Sequence, residues 1–357
     1  MSRITRNLLF VILGIAVLYG LDYFMTNGIG GMEIPPFHRR IIMLAGIAIT
    51  LAVSLNLING FTGQFSLGHA GFMAVGAYSG AYFTVYYGER LAASLGGGAF
   101  GSFVEFGLAT IIGALVAAVA GLIVGVPSLR LKGDYLAIVT LGFGQIIVVF
   151  LNNIEAVGAA RGFSGIPIVQ SFFWIFLIAV LTIVIVRNLV RSAFGRALIS
   201  IREDELAAEA MGVNTTRYKV MAFVISSAMA GAAGVLFAHF DGYLNPHSFE
   251  FLKSVEILIM VILGGLGSIV GAVLGAITLT VLPEALRQFA EYRMIIYSLL
   301  LIILMITRPQ GLLGGIDPFK GWRARRRAKS RTEAEEITAE DTRNNVRVEK
   351  EGTGTHR

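Results

Sequence analysis

The hydrophobic pattern of the chain consists of long stretches with few or no charged residues. Residues 41–88 form the longest of them, with 48 consecutive positions that lack Asp, Glu, Lys and Arg. Such a stretch is too long for one core helix and long enough for two membrane crossings. Charge-poor stretches predict membrane spans at 8–27, 41–58, 70–87, 106–127, 135–152, 172–190, 219–239, 255–282 and 294–307. We therefore predict an all-α, polytopic helical membrane protein with about eight or nine transmembrane helices.

Glycine interrupts two of these apolar stretches. One interruption lies in a polar strip between the second and third spans, and the other lies within 255–282. Backbone that leaves the helix at membrane depth is tolerated only against protein or a water-filled path, because lipid cannot satisfy peptide groups. Broken or re-entrant helices are predicted at Gly60, Gly63, Gly264, Gly265 and Gly267. With such a break, 255–282 returns to the side of the membrane from which it entered.

Uncharged polar residues accompany the first interruption and the fifth span. An interrupted helix beside polar side chains favours a protein that moves a polar solute. The candidate residues of the translocation path are Asn56, Asn59, Gln64, Ser66, His69, Gln145 and Asn152. Alternatively, these side chains form hydrogen bonds between helices, as is common in membrane proteins. The sequence leaves both interpretations open.

Small residues recur along the fourth span. Gly113, Ala117, Gly121 and Gly125 are spaced four residues apart and therefore share one helix face. Small residues at this spacing let helix backbones approach closely, so we predict that this face packs against another helix.

Composition agrees with a membrane protein and argues against other classes. Of 357 residues, 55% are hydrophobic and 15% are charged, with a mean hydropathy of +0.73, whereas soluble domains carry about 25% charged residues. There is no cysteine, so neither a disulfide framework nor a cysteine metal site is predicted. Of the net charge of +6, a net +4 falls in residues 320–357. This basic segment resembles a solvated tail, and we predict no nucleic-acid partner.

The distribution of Lys and Arg predicts the orientation. With a cytoplasmic amino terminus and seven successive crossings, the cytoplasmic segments hold 18 Lys and Arg up to Arg331, and the opposite segments hold seven. The positive-inside rule favours this arrangement. It puts 59–69, 128–134 and 187–219 in the cytoplasm, together with both termini.

The loop after the sixth span is the most charged segment before the tail. Within it, residues 203–211 are rich in Ala and Glu, which favour helix, and Gly212 is expected to end that helix. The short amphipathic helix is either a simple connector or a docking surface for a cytoplasmic partner. The candidate docking residues are Arg202, Glu203, Asp204, Glu205, Ala207, Ala208, Glu209 and Gly212.

Several kinds of chemistry have no signature in the sequence. No Gly-Lys dipeptide occurs, so there is no phosphate-binding P-loop, and any ATP that drives this protein is hydrolysed by another chain. The centres of the spans hold no carboxylate, which argues against a proton- or sodium-coupled pump. No nucleophile is paired with a base as in an enzyme. We therefore predict a transporter subunit that binds no cofactor and no metal.

Six stretches together resemble a known family. They are Leu55–Ala70 (LNLINGFTGQFSLGHA), Lys132–Gly144 (KGDYLAIVTLGFG), Gly195–Gly212 (GRALISIREDELAAEAMG), Gly242–Leu252 (GYLNPHSFEFL), Ser254–Ala272 (SVEILIMVILGGLGSIVGA) and Arg308–Leu313 (RPQGLL). Between about residues 40 and 315 the chain resembles the M-type permease subunits of bacterial ABC importers for branched-chain amino acids. The first span and the tail contribute little to this resemblance.

The resemblance gives the charged loop a role. In ABC importers a cytoplasmic EAA-x3-G loop of the permease docks in a groove of the ATPase. Ala207, Ala208 and Gly212 match the AA-x3-G part of that motif, whereas Leu206 stands at the position of the leading glutamate. Glu205 lies one residue earlier, so the departure concerns the acidic contact and not the location of the loop.

The resemblance also implies an assembly. A second, H-type permease completes a heterodimeric channel, two cytoplasmic ATPase subunits bind ATP and Mg²⁺, and an extracytoplasmic binding protein delivers leucine, isoleucine or valine. Transport proceeds by alternating access across a bacterial cytoplasmic (inner) membrane. The expected domains are a first transmembrane helix and connector in 1–40, the permease domain in 41–315, and a charged cytoplasmic tail in 316–357. The tail is expected to be disordered, or else to contact anionic membrane lipid or the ATPase.

Two alternatives remain at this point. The first is a related ABC permease for another small polar solute, such as urea, an amide or a sugar, because amide and hydroxyl side chains suit any of these. The second is a stand-alone secondary carrier, which would transport solute without an ATPase.

Overall fold

The computed structural model describes residues 35–94, 98–129 and 133–286, together with single positions at 19, 20, 22, 96, 131, 298, 299 and 302. Within this part of the chain every regular element is helical, apart from one isolated bridge between Phe163 and Leu244. The predicted all-α class is confirmed. Most of spans 8–27 and 294–307 and the whole tail lie outside the described residues, so the number of transmembrane helices stays a prediction.

The α-helices of the described residues are numbered here in chain order. They are α1 (Pro36–Asn56), α2 (His69–Phe83), α3 (Glu89–Ser94), α4 (Gly98–Ser128), α5 (Asp134–Asn153), α6 (Phe172–Arg191), α7 (Ala193–Glu203), α8 (Glu205–Ala210), α9 (Thr215–Asp241), α10 (Phe251–Gly264) and α11 (Ile269–Ala285). Wider π turns extend α1 through Leu57–Phe61 and α2 through Thr84–Gly88. Five described segments are long and apolar enough to cross a membrane, namely Pro36–Phe61, Phe100–Ser128, Tyr135–Asn153, Phe172–Arg191 and Thr215–Asp241.

These segments coincide with predicted spans but reach past the predicted bounds. The clearest case is α1, which begins at Pro36 rather than at residue 41. Its early start is possible because the guanidinium of Arg40 lies 3.1 Å from the carboxylate of Asp241 and 5.2 Å from the centre of the Phe240 ring. An arginine that is paired and stacked in this way fits the end of a membrane helix.

The helices α2, α4 and α9 cross at small residues in the centre of the bundle. A β-carbon at Gly76 would collide with the backbone of Gly231, and one at Gly231 would collide with Ala117. The small-residue face of α4, residues 113–125, packs along α9 over its whole length. The structure therefore confirms the predicted close approach of helix backbones.

The predicted span 255–282 consists of two helices that fold back on each other. A β-carbon at Gly271 would collide with the carbonyl of Gly264, and one at Gly275 would collide with the carbonyl of Met260. Because later residues of α11 meet earlier residues of α10, the two helices form an antiparallel hairpin. The segment therefore returns towards the end of the bundle from which it came.

Glycines form the tip of this hairpin. Gly265 and Gly267 have φ angles of +110° and +77°, which residues with a β-carbon rarely adopt. The hydroxyl of Ser268 then accepts a hydrogen bond of 3.0 Å from the Gly271 amide and caps α11. The four residues between α10 and α11 thus turn the chain without a loop of any length.

Candidate translocation path and coupling site

The first helix break turns back into the bundle. After α1 and its π turn, residues Thr62–Gly68 are not helical, and α2 begins at His69. His69 Nε2 lies 2.8 Å from the hydroxyl of Ser54, which is seven residues before Phe61, or about 10 Å along a helix axis. The start of α2 therefore lies beside α1 and well inside its length. The segment between the two helices runs along the bundle rather than over its end.

Side chains from three helices satisfy backbone groups of this segment and of the first turn of α2 that follows it. The amide of Asn59 on α1 accepts from Ser66 N at 3.2 Å and donates to Ser66 O at 3.5 Å. The hydroxyl of Thr140 on α5 accepts from Leu67 N at 3.1 Å, and that of Ser254 on α10 accepts from Ala70 N at 3.1 Å. Hydrogen bonds to side chains replace those that a helix would make internally. Sequence reasoning missed Thr140 and Ser254, since hydroxyls are common in membrane helices and carry no local signal.

Part of the segment faces outward from the chain. Phe65 has 40% of its surface exposed, Gly63 is exposed, and Gln64 is half-buried. The Ser66 hydroxyl is buried and has no hydrogen-bond partner within the described residues. Non-helical backbone with polar groups at this depth is tolerated where it lines a water-filled cavity or meets another protein.

The structure brings five of the seven candidate path residues together and leaves two apart. Asn56, Asn59, Gln64, Ser66 and His69 surround the break. Asn56 and His69 are buried and hydrogen-bonded within the chain. Such bonds agree with the alternative that these side chains connect helices.

The other two candidates lie along α5. Gln145 is half-buried and lies five residues after Thr140. Asn152 lies near the far end of the helix, and its buried Oδ1 has no hydrogen-bond partner among the residues that the structure describes. Contact of any of the seven with solute stays a prediction.

The two glycine breaks touch each other. The amide of Asn56 accepts a hydrogen bond of 2.9 Å from Gly267 N and donates one of 3.0 Å to Ser268 O. A β-carbon at Gly60 would collide with Asn56 Oδ1 and with the Gly267 nitrogen. The end of α1 is therefore joined to the tip of the α10–α11 hairpin by direct backbone contact. Nothing in the sequence predicts this contact, because 211 positions separate its two sides.

The charged loop contains two helices rather than the single helix predicted over 203–211. α7 ends at Glu203, Asp204 is extended with a φ of −157°, and α8 begins at Glu205. The carboxylate of Asp204 accepts from the amides of Leu206 at 2.9 Å and Ala207 at 3.0 Å. Aspartate is a preferred residue at this capping position, and its capping bonds explain why the helix restarts there.

The carboxylates of both acidic residues of α8 bond to the start of α9. Glu205 pairs at 2.6 Å with Nζ of Lys219, whose side chain is only 2% exposed, and Glu209 accepts a hydrogen bond of 2.6 Å from the Thr215 hydroxyl. Ala208 is buried on the same side. Both acidic contacts hold α8 against the start of α9.

The opposite face of α8 is apolar and exposed. Leu206 and Met211 have 69% and 84% of their surface exposed, and Ala207 and Ala210 lie between them at helical spacing. An exposed apolar face of this kind, at the position predicted to dock, is unusual for a simple connector. Sequence reasoning singled out the charged residues and missed Leu206 and Met211.

Gly212 ends this element, as predicted. Its φ is +83°, and a β-carbon there would meet no atom within 4 Å. We expect Gly212→Val to misdirect the chain after α8 and to lower uptake several-fold, because a side chain in this left-handed conformation costs about 1–2 kcal/mol. Gly212→Asn is the matched control, since asparagine tolerates this conformation. Full uptake with an intact complex in the valine variant would contradict a role for this turn.

The chain is similar to known proteins over most of its length. The profile of a family described as "Branched-chain amino acid transport system / permease component" matches residues 37–306. The high-affinity branched-chain amino acid transport system permease protein LivM of Salmonella typhimurium is 39% identical over 302 residues, which are 75% of this chain and 68% of LivM. LivM of Escherichia coli is 39% identical over 308 residues, or 76% of this chain and 69% of the relative. The permease protein LivH of Salmonella typhimurium is 36% identical over 169 residues, or 46% of this chain and 53% of LivH.

Proposed function

Because the chain belongs to the family of branched-chain amino acid transport permease components, we propose that it forms half of the path for leucine, isoleucine or valine in an ATP-driven importer. The observation that carries this proposal is the non-helical segment Thr62–Gly68, which runs inside the bundle with its backbone held by side chains. Backbone in this state suits the wall of a water-filled path. Alternating access would expose that wall to each side of the membrane in turn.

The proposal includes partners of four kinds. A related second permease completes the path, two cytoplasmic ATPase subunits bind ATP and Mg²⁺, an extracytoplasmic protein delivers the solute, and lipid surrounds the spans. The apolar outer face of α8 supports an ATPase partner, because its acidic residues are already bound by Lys219 and Thr215. Docking would then rest on Leu206 and Met211. Leu206 stands at the position where the family motif has its leading glutamate.

The proposed location is the bacterial inner membrane, with both termini in the cytoplasm. The contact between Arg202 and Gly60 supports a common side for 59–69 and 187–219, which the distribution of Lys and Arg also favours. Labelling of single cysteines introduced at Glu203 and Phe65 with a membrane-impermeant reagent tests this orientation, because the chain has no cysteine of its own.

Uptake of labelled leucine tests the solute. Cells that lack this gene are expected to lose saturable leucine uptake and to regain it with the gene, and excess isoleucine or valine is expected to compete. Unchanged uptake of all three amino acids would contradict the proposed solute. Reconstitution with and without the ATPases tests the energy source, since a stand-alone carrier would transport in both cases.

A second solute class is favoured by one observation. The polar groups of the break are amides and hydroxyls, supplied by Asn59, Gln64 and Ser66, and they include no carboxylate to bind an amino group. A neutral solute such as urea or a small amide needs no such group. Competition by urea or acetamide in the same uptake assay would favour this class.

The docking face of α8 makes a testable prediction. We expect the double variant Leu206→Ala and Met211→Ala to weaken binding of the ATPases by about tenfold to a hundredfold, since burial of a Leu or Met side chain in an interface contributes about 1.5–3 kcal/mol. Co-purification of the ATPases with the permease measures the effect. Leu252→Ala is the matched control, because Leu252 is 76% exposed at the start of α10. Equal binding by the double variant and the control would contradict apolar docking.

A further inference from the structure

The side chain of Arg202 lies between the surface helices, α7 and α8, and the two glycine breaks, which are residues 60–68 and 264–268. Arg202, the second-last residue of α7, donates from Nη1 to the carbonyl of Gly60 at 3.1 Å. Its alkyl stem covers Gly63, where a β-carbon would lie 2.6 Å from Arg202 Cγ. A β-carbon on Gly267 would lie 3.0 Å from Nη1. The side chain thus lies where the end of α1, the start of the segment Thr62–Gly68 and the hairpin tip meet.

The shape of the arginine side chain suits this place. The guanidinium is planar and presents separate donor edges. Nε donates to Glu203 at 3.1 Å, while Nη1 points to Gly60. One edge is therefore held by α7 and the other by the break. A lysine would offer one point charge and could not hold both sides in a fixed plane.

Polar contacts join α7 and α8 to two different parts of the bundle, beside the packing of Phe194 on α7 against Tyr218 on α9. Through Glu205 and Glu209, α8 is attached to the start of α9. Through Arg202, α7 is hydrogen-bonded to the first break at Gly60 and lies against the second at Gly267, and both breaks lie beside the proposed path. The second connection reaches the elements with non-helical backbone, and these are the elements that can change shape without breaking a helix.

We propose that Arg202 is a positioning residue that transmits movement of α7 and α8 to both glycine breaks at once. When the surface helices move, Arg202 pulls the Gly60 carbonyl through their hydrogen bond. The contact between Gly60 and Gly267 then moves the hairpin tip as well. This inference rests on the proposed function, because an ATPase supplies the displacement. Arg202 itself touches neither solute nor nucleotide in this account.

The first test compares Arg202→Gln with Arg196→Gln in the complete transporter, reconstituted in vesicles with its ATPases and binding protein. Arg196 is an exposed arginine on the same helix. Leucine uptake and ATP hydrolysis are measured in the same vesicles. We expect Arg202→Gln to lower the solute moved per ATP about tenfold, which is the usual effect of losing a hydrogen bond to a charged group. The yield of complex and the rate of hydrolysis are expected to match those of Arg196→Gln.

A second pair of variants leaves Arg202 in place. Gly267→Ala puts a methyl group against Arg202 Nη1 and the Gly60 carbonyl. Gly165→Ala is the control, because Gly165 has a similar φ, +81° compared with +77° for Gly267. A β-carbon on Gly165 would have no atom of the described residues within 4 Å. Gly267→Ala is expected to lower the solute moved per ATP in the same way, and Gly165→Ala is expected to leave it unchanged. This pair separates disturbance of the arginine contact from backbone strain.

The outcomes have distinct meanings. A normal ratio of solute to ATP in Arg202→Gln overturns the inference. A parallel loss of uptake and hydrolysis in both Arg202→Gln and Gly267→Ala also overturns it, because that pattern indicates lost docking or folding. Uptake by the unsubstituted permease without any ATPase would instead contradict the proposed function, and it is detected before any variant is compared.

Discussion

Replacement of Glu205 by alanine is expected to detach α8 from the bundle, because it leaves a buried ammonium group without its carboxylate. The side chain of Lys219 is 2% exposed and that of Glu205 is 21% exposed. Removal of one partner from a buried pair costs about 3–5 kcal/mol. Since Glu205 is partly open to solvent, we expect the lower end, about 3 kcal/mol. Thermal unfolding of the solubilised permease and co-purification of the ATPases measure the two consequences.

Two further variants make this result specific. Glu256→Ala removes a more exposed partner, which pairs with Lys253 at 2.9 Å, and is expected to change stability by less than about 1 kcal/mol. The double variant Glu205→Ala and Lys219→Met removes both charges and is expected to recover part of the stability, because no buried charge is then left without a partner. Wild-type stability in Glu205→Ala alone would mean that the pair does not hold α8.

The spans were predictable because a helix that crosses lipid needs about 20 consecutive, predominantly apolar residues. α6 illustrates this well, since the prediction of 172–190 differs from Phe172–Arg191 by one residue. α4 departs further from its predicted start. It begins at Gly98 rather than at residue 106, because a single charge at Glu105 lowers the hydropathy without ending the helix.

The glycine breaks were predictable in position but not in direction. Gly63, Gly265 and Gly267 have φ angles above +60°, so glycine itself was an adequate signal there. The course of Thr62–Gly68 back along α1 depends on Thr140 and Ser254. These partners are distant in sequence, and nothing local identifies them. Their contribution becomes visible only when the helices have packed.

The polar residues near the break serve the backbone before they can serve a solute. The side chain of Asn59 binds both the backbone N–H and the backbone carbonyl of Ser66. The side chain of Asn56 binds the backbone of the hairpin tip. Both amides are therefore needed to keep a non-helical segment inside the bundle. A polar strip in a membrane span indicates an irregular backbone as reliably as it indicates a path, which is why the sequence left two interpretations.

The substitution Gly60→Ala is expected to cause the largest loss of uptake, at least about tenfold, because it separates the two glycine breaks. The added methyl group would overlap Asn56 Oδ1 and the Gly267 nitrogen. The backbone of the hairpin tip would have to move, and the two hydrogen bonds of Asn56 would be lost with it. Uptake at a matched amount of permease in the membrane is the measurement.

The control for helix propensity is Gly142→Ala in α5, where an added β-carbon meets no atom within 4 Å. Alanine there is expected to be neutral or to stabilise by up to about 1 kcal/mol. Removal of the Asn56 side chain as well, in Asn56→Ala with Gly60→Ala, is not expected to restore uptake, since the Gly267 nitrogen still blocks the methyl group. Wild-type uptake in Gly60→Ala would show that transport does not require the end of α1 and the hairpin tip to touch.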